Sequence, residues 1–172
     1  MAWSLQDKIK KTFEQEVMLE KFNYNKPTRC AFLYPNTYEV GMSNLGLHIL
    51  YKLLNELPAV GCERFFLPDS KELALYRKAN TGLYSIETCR KLSDFHILCV
   101  TVSFEGDYFN LLTMLELGKI PLRAAQRNEH HPLVIIGGPC ATFNPLPLSP
   151  VADAFIIGEG EQSLISAVNF LV

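Results

Sequence analysis

Short apolar runs alternate with helical patterns along this chain, and this alternation constrains the fold more than any other feature. The clearest run covers residues 95–103, and further runs cover residues 29–34, 60–67, 133–136 and 154–157. Strands that are buried on both faces read as continuous apolar runs of this kind. The alternation therefore predicts an α/β fold: a Rossmann-like, flavodoxin-type, doubly wound parallel sheet of about five strands in three α/β/α layers.

The N-terminus carries an amphipathic pattern. Apolar residues recur there every four positions, at Leu5, Ile9, Phe13 and Val17. This spacing predicts a helix over residues 4–22. We accordingly divide the chain into an N-terminal helical extension, residues 1–27, and a Rossmann-like domain, residues 28–172.

The remaining helices are predicted from apolar faces and from their end signals. Ser43 and Asn44 are suitable N-cap residues for a helix that ends near residues 57–58. Further helices are predicted over residues 71–78, 107–117 and 161–170. Residues 84–88 are predicted to form a short segment at the sheet edge.

Composition excludes several classes of function. The 16 Lys and Arg residues against 18 Asp and Glu residues give a net charge of −2, and no basic run occurs apart from the short cluster of Lys8, Lys10 and Lys11, so nucleic-acid binding is not expected. The longest apolar runs are too short for a membrane span. The five cysteines have no Cys-x-x-Cys spacing, so neither a disulfide framework nor a metal site is predicted. No secretion signal opens the chain, and we predict a cytoplasmic protein.

Glycine-rich turns follow the last two predicted strands. The first contains Gly137 and Gly138, and the second contains Gly158 and Gly160. Glycine lets a ligand approach the backbone closely, and parallel α/β sheets bind ligands at the carboxyl ends of their strands. The alternative explanation of Gly137 and Gly138 is a tight turn without a ligand. The second turn either places a polar loop and a helix N-terminus at the ligand, or carries Glu159 and Glu161 only as favourable charges at a helix start.

Several blocks of sequence resemble a known family when they are taken together and in order. They are residues 31–47 (AFLYPNTYEVGMSNLGL), 62–68 (CERFFLP), 102–108 (VSFEGDY), 137–142 (GGPCAT) with Asn144 and Pro145, and Asp153 with 158–161 (GEGE). These blocks resemble the N-terminal cobalamin-binding-like domain of a group of largely uncharacterised radical SAM proteins. The resemblance covers residues 28–165.

The resemblance implies a cofactor, a partner and a site. The cofactor would be cobalamin, held by the residues at the strand ends. The partner would be the chain's own C-terminal radical SAM domain, which would bind S-adenosylmethionine and a [4Fe-4S] cluster through a Cys-x-x-x-Cys-x-x-Cys motif. That motif is absent from this sequence. We therefore expect the chain to be the non-catalytic N-terminal part of a longer enzyme, and the sequence predicts no oligomeric state.

The residues implied in ligand binding lie at or after the carboxyl ends of the first, third, fourth and fifth predicted strands. They are Asn36, Thr37, Tyr38, Glu39, Gly41, Met42, Ser43, Thr101, Ser103, Glu105, Gly137, Gly138, Pro139, Gly158, Glu159 and Gly160. An acidic set at the same strand ends, Glu39, Glu105 and Asp107, would orient a ligand or pair with the missing domain. Cys140 is the one thiol predicted there, either reactive or simply packed.

The first loop departs from cobalamin domains of the methionine-synthase type. Those domains carry Asp-x-His-x-x-Gly, whereas residues 35–43 contain no histidine. Cobalamin would therefore bind without a histidine on cobalt, with the lower face open or covered by Tyr38 or Met42. Two alternatives stay open: a scaffold that has lost the cofactor, and an ordinary nucleotide-binding domain. Pro35-Asn36-Thr37 disfavours the latter, because a pyrophosphate turn requires glycines.

Overall fold

Five parallel strands form one sheet in this computed structural model, which describes residues 2–17 and 20–172. The strands are β1 (Thr28–Tyr34), β2 (Val60–Phe66), β3 (Ile97–Thr101), β4 (Leu133–Gly137) and β5 (Ala154–Phe155). Their order across the sheet is β2-β1-β3-β4-β5, and every pairing is parallel. This is the flavodoxin-type order, and the predicted fold class is confirmed.

Within the described residues, seven α-helices connect and cover the strands. They are α1 (Ala2–Glu14), α2 (Tyr38–Met42), α3 (Leu45–Glu56), α4 (Ser70–Ala79), α5 (Tyr108–Leu117), α6 (Pro139–Phe143) and α7 (Gly160–Leu171). Two begin with strong caps. Asn44 Oδ1 accepts a hydrogen bond from the Leu47 amide, and Asp69 forms a capping box with Glu72. The short helices α2 and α6 were not predicted, since neither is long enough to show a helical period.

The core lies on both faces of the sheet. Cys30 and Phe32 of β1 face α3 and α7, which contribute Leu47 and Leu164. Leu33 points to the other face, towards α4 and α5. Alternating strand residues thus fill two separate apolar layers, as the three-layer prediction requires. All five cysteines are free, and the Sγ atoms of Cys30 and Cys99 lie 3.4 Å apart inside the core.

The first helix is shorter than its sequence pattern indicates. It ends at Glu14, where residues 15 and 16 turn back to the carbonyls of Thr12 and Phe13; residues 18 and 19 of the predicted helix lie outside the described residues. Leu5 is buried, but Val17 is 92% exposed. Val17 lies beyond the last helical turn, so the sheet offers it no apolar partner. The turn instead directs Glu16 towards the sheet, where two polar side chains bind it.

Residues 84–88 do not form a strand of the sheet. Tyr84 makes an isolated antiparallel bridge with Lys91, and the Ile86 amide donates to the Arg64 carbonyl. The segment covers the outer edge of β2, which is an edge strand. Polar backbone groups of an edge strand require such a cover when side chains there are buried. Within residues 2–17 and 20–172, no helix is long and apolar enough to cross a membrane.

Candidate functional site

The sixteen residues singled out from the sequence all lie at or beyond the carboxyl ends of strands. Residues 36–43 follow β1, and residues 101, 103 and 105 lie at the end of β3 or after it. Residues 137–139 end β4 and begin α6, and residues 158–160 follow β5. Because the strands are parallel, these ends share one edge of the sheet, which we call the carboxyl edge. The structure brings the predicted residues to one edge.

A side-chain hydrogen bond joins the loops after β1 and β3. These neighbouring strands form the switch point of the sheet, because the chain continues from them to strands on opposite sides. Asn36 Nδ2 donates to Asp107 Oδ1 at 2.8 Å, and Asn110 Nδ2 donates to the same oxygen at 3.1 Å. The Asn36 side-chain oxygen accepts from the Thr37 amide at 2.9 Å. In doubly wound sheets this switch point is where ligands usually bind. Here protein side chains cross it.

A network of buried charged side chains contacts the loop after β1 and holds it in place. Tyr38 Oη donates to Glu16 Oε1 at 2.8 Å, and burial, followed by the nearby Glu16, raises the pKa of Tyr38. Arg64 binds Glu16 at 2.8 Å and Glu87 at 2.6 Å, and it donates to Met42 Sδ at 3.1 Å. Tyr38 and Met42 thus both contact charged side chains of this network.

Sequence reasoning missed this network, although β2 carries a signal for it. Glu63 and Arg64 interrupt an otherwise apolar run, and both are fully or almost fully buried. Glu63 pairs with Arg90 at 2.9 Å. Charged residues at such positions require partners, because an unpaired buried charge is very costly. The identity of the partners depends on the N-terminal segment and on residues 84–91, which are distant in sequence.

Gly138 is explained by packing between two strand ends. Its φ is +94°, and a Cβ there would lie 2.8 Å from the Val102 carbonyl oxygen and 2.9 Å from Thr101 Oγ1. The tight-turn alternative therefore accounts for this glycine without a ligand. Gly158 also has a positive φ, +87°, but a Cβ there would meet nothing within 4 Å. The Gly158 amide donates to Thr142 Oγ1 at 3.0 Å, which joins the turn after β5 to α6.

The space for a nucleotide tail is small. Between the sheet, α3 and α7, a cavity of about 80 Å³ opens near Thr101, Gly137 and Gly160. Leu50 and Leu164 line its helical side. Pockets for small ligands usually measure about 300–1,000 Å³. The cavity is therefore several times smaller than an ordinary ligand pocket.

Two larger cavities lie elsewhere. One of about 300 Å³ lies beside the end of β2, between α1 and α4, and Thr37, Tyr38 and Glu39 form part of its wall. Another of about 640 Å³ lies at the opposite, amino edge of the sheet, among polar and charged residues that include Arg29 and Arg127. Of the residues predicted to bind a ligand, only those of the loop after β1 line the cavity beside β2.

Cys140 lies beside carboxylates at the carboxyl edge. Burial raises the pKa of its thiol, nearby Glu105 and Asp107 raise it further, and a hydrogen bond with Tyr108 opposes them. The thiolate is therefore disfavoured, and the packed form predicted as an alternative agrees with this environment. Among the described residues, no group of three or more His, Cys, Asp or Glu side chains is arranged to hold a metal ion.

Exposed apolar side chains surround the carboxyl edge, and we call them the apolar rim. Three are phenylalanines: Phe104 is 63% exposed, Phe109 78% and Phe143 88%. The others are Val40, Leu45 and Ile157. Each follows the carboxyl end of a strand in the chain. Apolar side chains grouped in this way are typical of a surface that another protein unit covers.

Comparison with known proteins assigns the chain to a family. A family described as the N-terminal region of radical SAM proteins matches residues 46–172. The chain belongs to this family. The radical SAM part of the expected resemblance is thereby confirmed, whereas cobalamin binding is not addressed by the match. Blocks 62–68, 102–108 and 137–142 lie inside the matched range, and the loop after β1 lies before it.

One relative places this N-terminal region within a longer protein. An uncharacterised protein of Methanocaldococcus jannaschii is 26% identical over 141 residues, which cover 81% of this chain and 26% of that protein. The chain thus spans about a quarter of the length of this curated relative. No solved structure matches the chain.

Proposed function

We propose that this chain is the non-catalytic N-terminal module of a radical SAM protein and that it covers the catalytic domain through the carboxyl edge of its sheet. The apolar rim is the observation that carries the proposal. Covering Phe104, Phe109 and Phe143 would remove large apolar surfaces from water, at about 25 cal/mol per Å². In this arrangement the module would close the substrate chamber against solvent.

The two edges of the sheet differ in a way that favours this orientation. The amino edge is lined by charged groups, among them Arg29, Asp94 and Arg127. The carboxyl edge combines the apolar rim with short turns that α6 and Thr142 hold in place. Apolar anchors on a rigid support are favourable at an interface, because little conformational freedom is lost on binding.

The chemistry would belong to the partner domain. S-adenosylmethionine and a [4Fe-4S] cluster would be held by a Cys-x-x-x-Cys-x-x-Cys motif, which this chain lacks. The contribution of this module would be to position and shield, and we assign it no catalytic residue. The gene offers the first test: the sequence encoded after residue 172 should contain that cysteine motif.

Docking can be tested by hydrogen exchange in the longer protein. We expect residues 102–109 and 139–144 to exchange about tenfold or more slowly there than in the 172-residue chain, because docking excludes water from the rim. Replacing Phe104 and Phe143 with serine should abolish the difference. Leu133→Ser is the matched control, since Leu133 is 42% exposed but lies at the amino end of β4. Equal exchange of the rim in both proteins would contradict the proposal.

Cobalamin binding is a second candidate. The cavity near Gly137, Gly138 and Gly160 favours it, because it opens at the place where a nucleotide tail would enter. Its volume of about 80 Å³ disfavours it for this conformation. Entry of the tail would require α7 to move away from α3, since a Cβ at Gly160 would already lie 3.3 Å from the Leu50 side chain.

Retention of the corrin is the measurement that separates the two candidates. The isolated chain is expected not to retain hydroxocobalamin at high micromolar concentration, because the cavity is several times smaller than an ordinary ligand pocket. Gel filtration with visible absorbance would detect co-elution and a spectral shift. Stoichiometric co-elution would show that α7 moves away from α3 readily, and it would favour cobalamin binding as the function.

A further inference from the structure

Asp107 is a buried carboxylate without an oppositely charged partner among the described residues. The residue is 3% exposed, and it lies between the end of β3 and the start of α5. Its Oδ1 atom accepts hydrogen bonds from Asn36 and Asn110, which are neutral amides. Within the part of the chain that the structure describes, no Lys, Arg or His forms an ion pair with it.

Other buried carboxylates in this protein are paired. Glu63 binds Arg90 at 2.9 Å, and Glu87 binds Arg64 at 2.6 Å. Glu16 also binds Arg64, at 2.8 Å. These pairs follow the general rule that a charge removed from water needs a counter-charge and further hydrogen bonds. Asp107 departs from the pattern set by its own fold.

The second oxygen of Asp107 still reaches solvent. Oδ2 makes no hydrogen bond to the described residues, yet no fully buried side-chain oxygen or nitrogen among them lacks a partner. Oδ2 must therefore keep a small solvent contact. The N-terminus of α5 offsets part of the charge through its dipole, although the Asp107 side chain makes no capping hydrogen bond.

The surroundings of Asp107 explain why this solvent contact matters. Phe104 precedes it and Phe109 follows it within the same loop and helix start, and both are mostly exposed. Glu105 adds a second negative charge nearby. When the apolar rim is covered, Oδ2 loses its water. The carboxylate would then be buried without a counter-charge unless the covering surface supplied a positive charge.

We propose that Asp107 receives a basic side chain, Lys or Arg, from the catalytic domain when that domain covers the apolar rim. The inference rests on the proposed docking and specifies its centre. The phenylalanines exclude water around the contact, and the two asparagines fix the carboxylate in place. The ion pair would set the register of the two domains, since only one position of the partner places its cation at Oδ2.

Asp107→Asn tests this pairing in two proteins. In the 172-residue chain, asparagine keeps the acceptor oxygen and removes an uncompensated charge, so the Tm should stay the same or rise by up to about 3 °C. In the longer protein, the same substitution leaves the partner's cation buried without a counter-charge. There we expect the rim to exchange hydrogen about tenfold or more faster than in the unsubstituted protein. Glu105→Gln is the control, since it removes a charge from an exposed side chain of the same loop.

The outcomes separate the pairing from the docking itself. If Phe104→Ser with Phe143→Ser exposes the rim but Asp107→Asn does not, the pairing is wrong and the docking stands. If Asp107→Asn destabilises the isolated chain by more than about 3 °C, its role is structural and the pairing is wrong. If millimolar Mg²⁺ stabilises the isolated chain and Asp107→Asn abolishes that effect, the cation comes from solution, which also overturns the proposal.

Discussion

Replacing Arg64 with methionine is expected to lower the free energy of unfolding by about 3–5 kcal/mol at pH 8, because the substitution leaves buried carboxylates without a counter-charge. The Arg64 side chain is 3% exposed, and its partners Glu87 and Glu16 are 0% and 10% exposed. Burial lowers the pKa of Arg64, but Glu87, Tyr51 and Glu16 raise it above its usual value, so the guanidinium stays charged. Methionine would fill the space and remove the charge.

The loss should depend on pH with a definite sign. Burial raises the pKa of Glu87, and Arg64 opposes that rise. Without Arg64, the pKa of Glu87 in the folded state would rise further above that of the unfolded chain. The folded state would then bind the extra proton, so the stability of the variant should recover as the pH falls from 8 towards 5.

Urea unfolding at pH 8 and pH 5 measures both effects. Lys52→Met is the matched control, because Lys52 also binds two carboxylates, Glu20 and Glu56, but all three side chains are about half exposed. It should cost about 1 kcal/mol or less at either pH. A loss below about 1 kcal/mol for Arg64→Met would show that the network adds nothing to stability. Because Arg64 also holds Met42, we expect the loop after β1 to exchange hydrogen faster in this variant.

Replacing Gly138 with alanine should cost about 3 kcal/mol. A residue with a side chain is strained at a φ of +94°, which alone costs about 1–3 kcal/mol. The added Cβ would also lie 2.8 Å from the Val102 oxygen and 2.9 Å from the Val102 nitrogen. Backbone atoms cannot rotate away as a flexible side chain can. The ends of β3 and β4 would therefore have to separate, which would disturb the carboxyl edge.

Gly158→Ala provides the control for Gly138→Ala. Gly158 has a similar φ of +87°, but nothing lies within 4 Å of a Cβ there. Its substitution should cost only the conformational part, about 1–2 kcal/mol. Thermal and urea unfolding of both variants would measure the difference, which isolates the steric contact with Val102. Equal losses would show that the close approach of the two strand ends contributes nothing.

The arrangement of the strands was predictable because its signals are local. The strands β1 to β4 are runs of five to seven residues, and the caps of α3 and α4 lie within a few positions of the helices that they begin. Parallel connection then places every strand end on one edge. This is why the residues after β1, β3, β4 and β5 came together as expected. Val17 was misplaced because a four-residue period continued in the sequence after the helix had ended.

The flavodoxin-type sheet, the family of the chain and the edge that carries the candidate site therefore follow from the sequence alone. Which charges are paired at that edge depends on the folded arrangement of the chain. Glu16 and Arg64 are 48 positions apart, and Asn36 and Asp107 are 71 apart. Such contacts leave no periodic signal, because their energy depends on burial and on distances of about 3 Å between atoms that only the folded chain brings together. The requirement for glycine at position 138 has the same origin, because it arises from close contact with the backbone of a neighbouring strand.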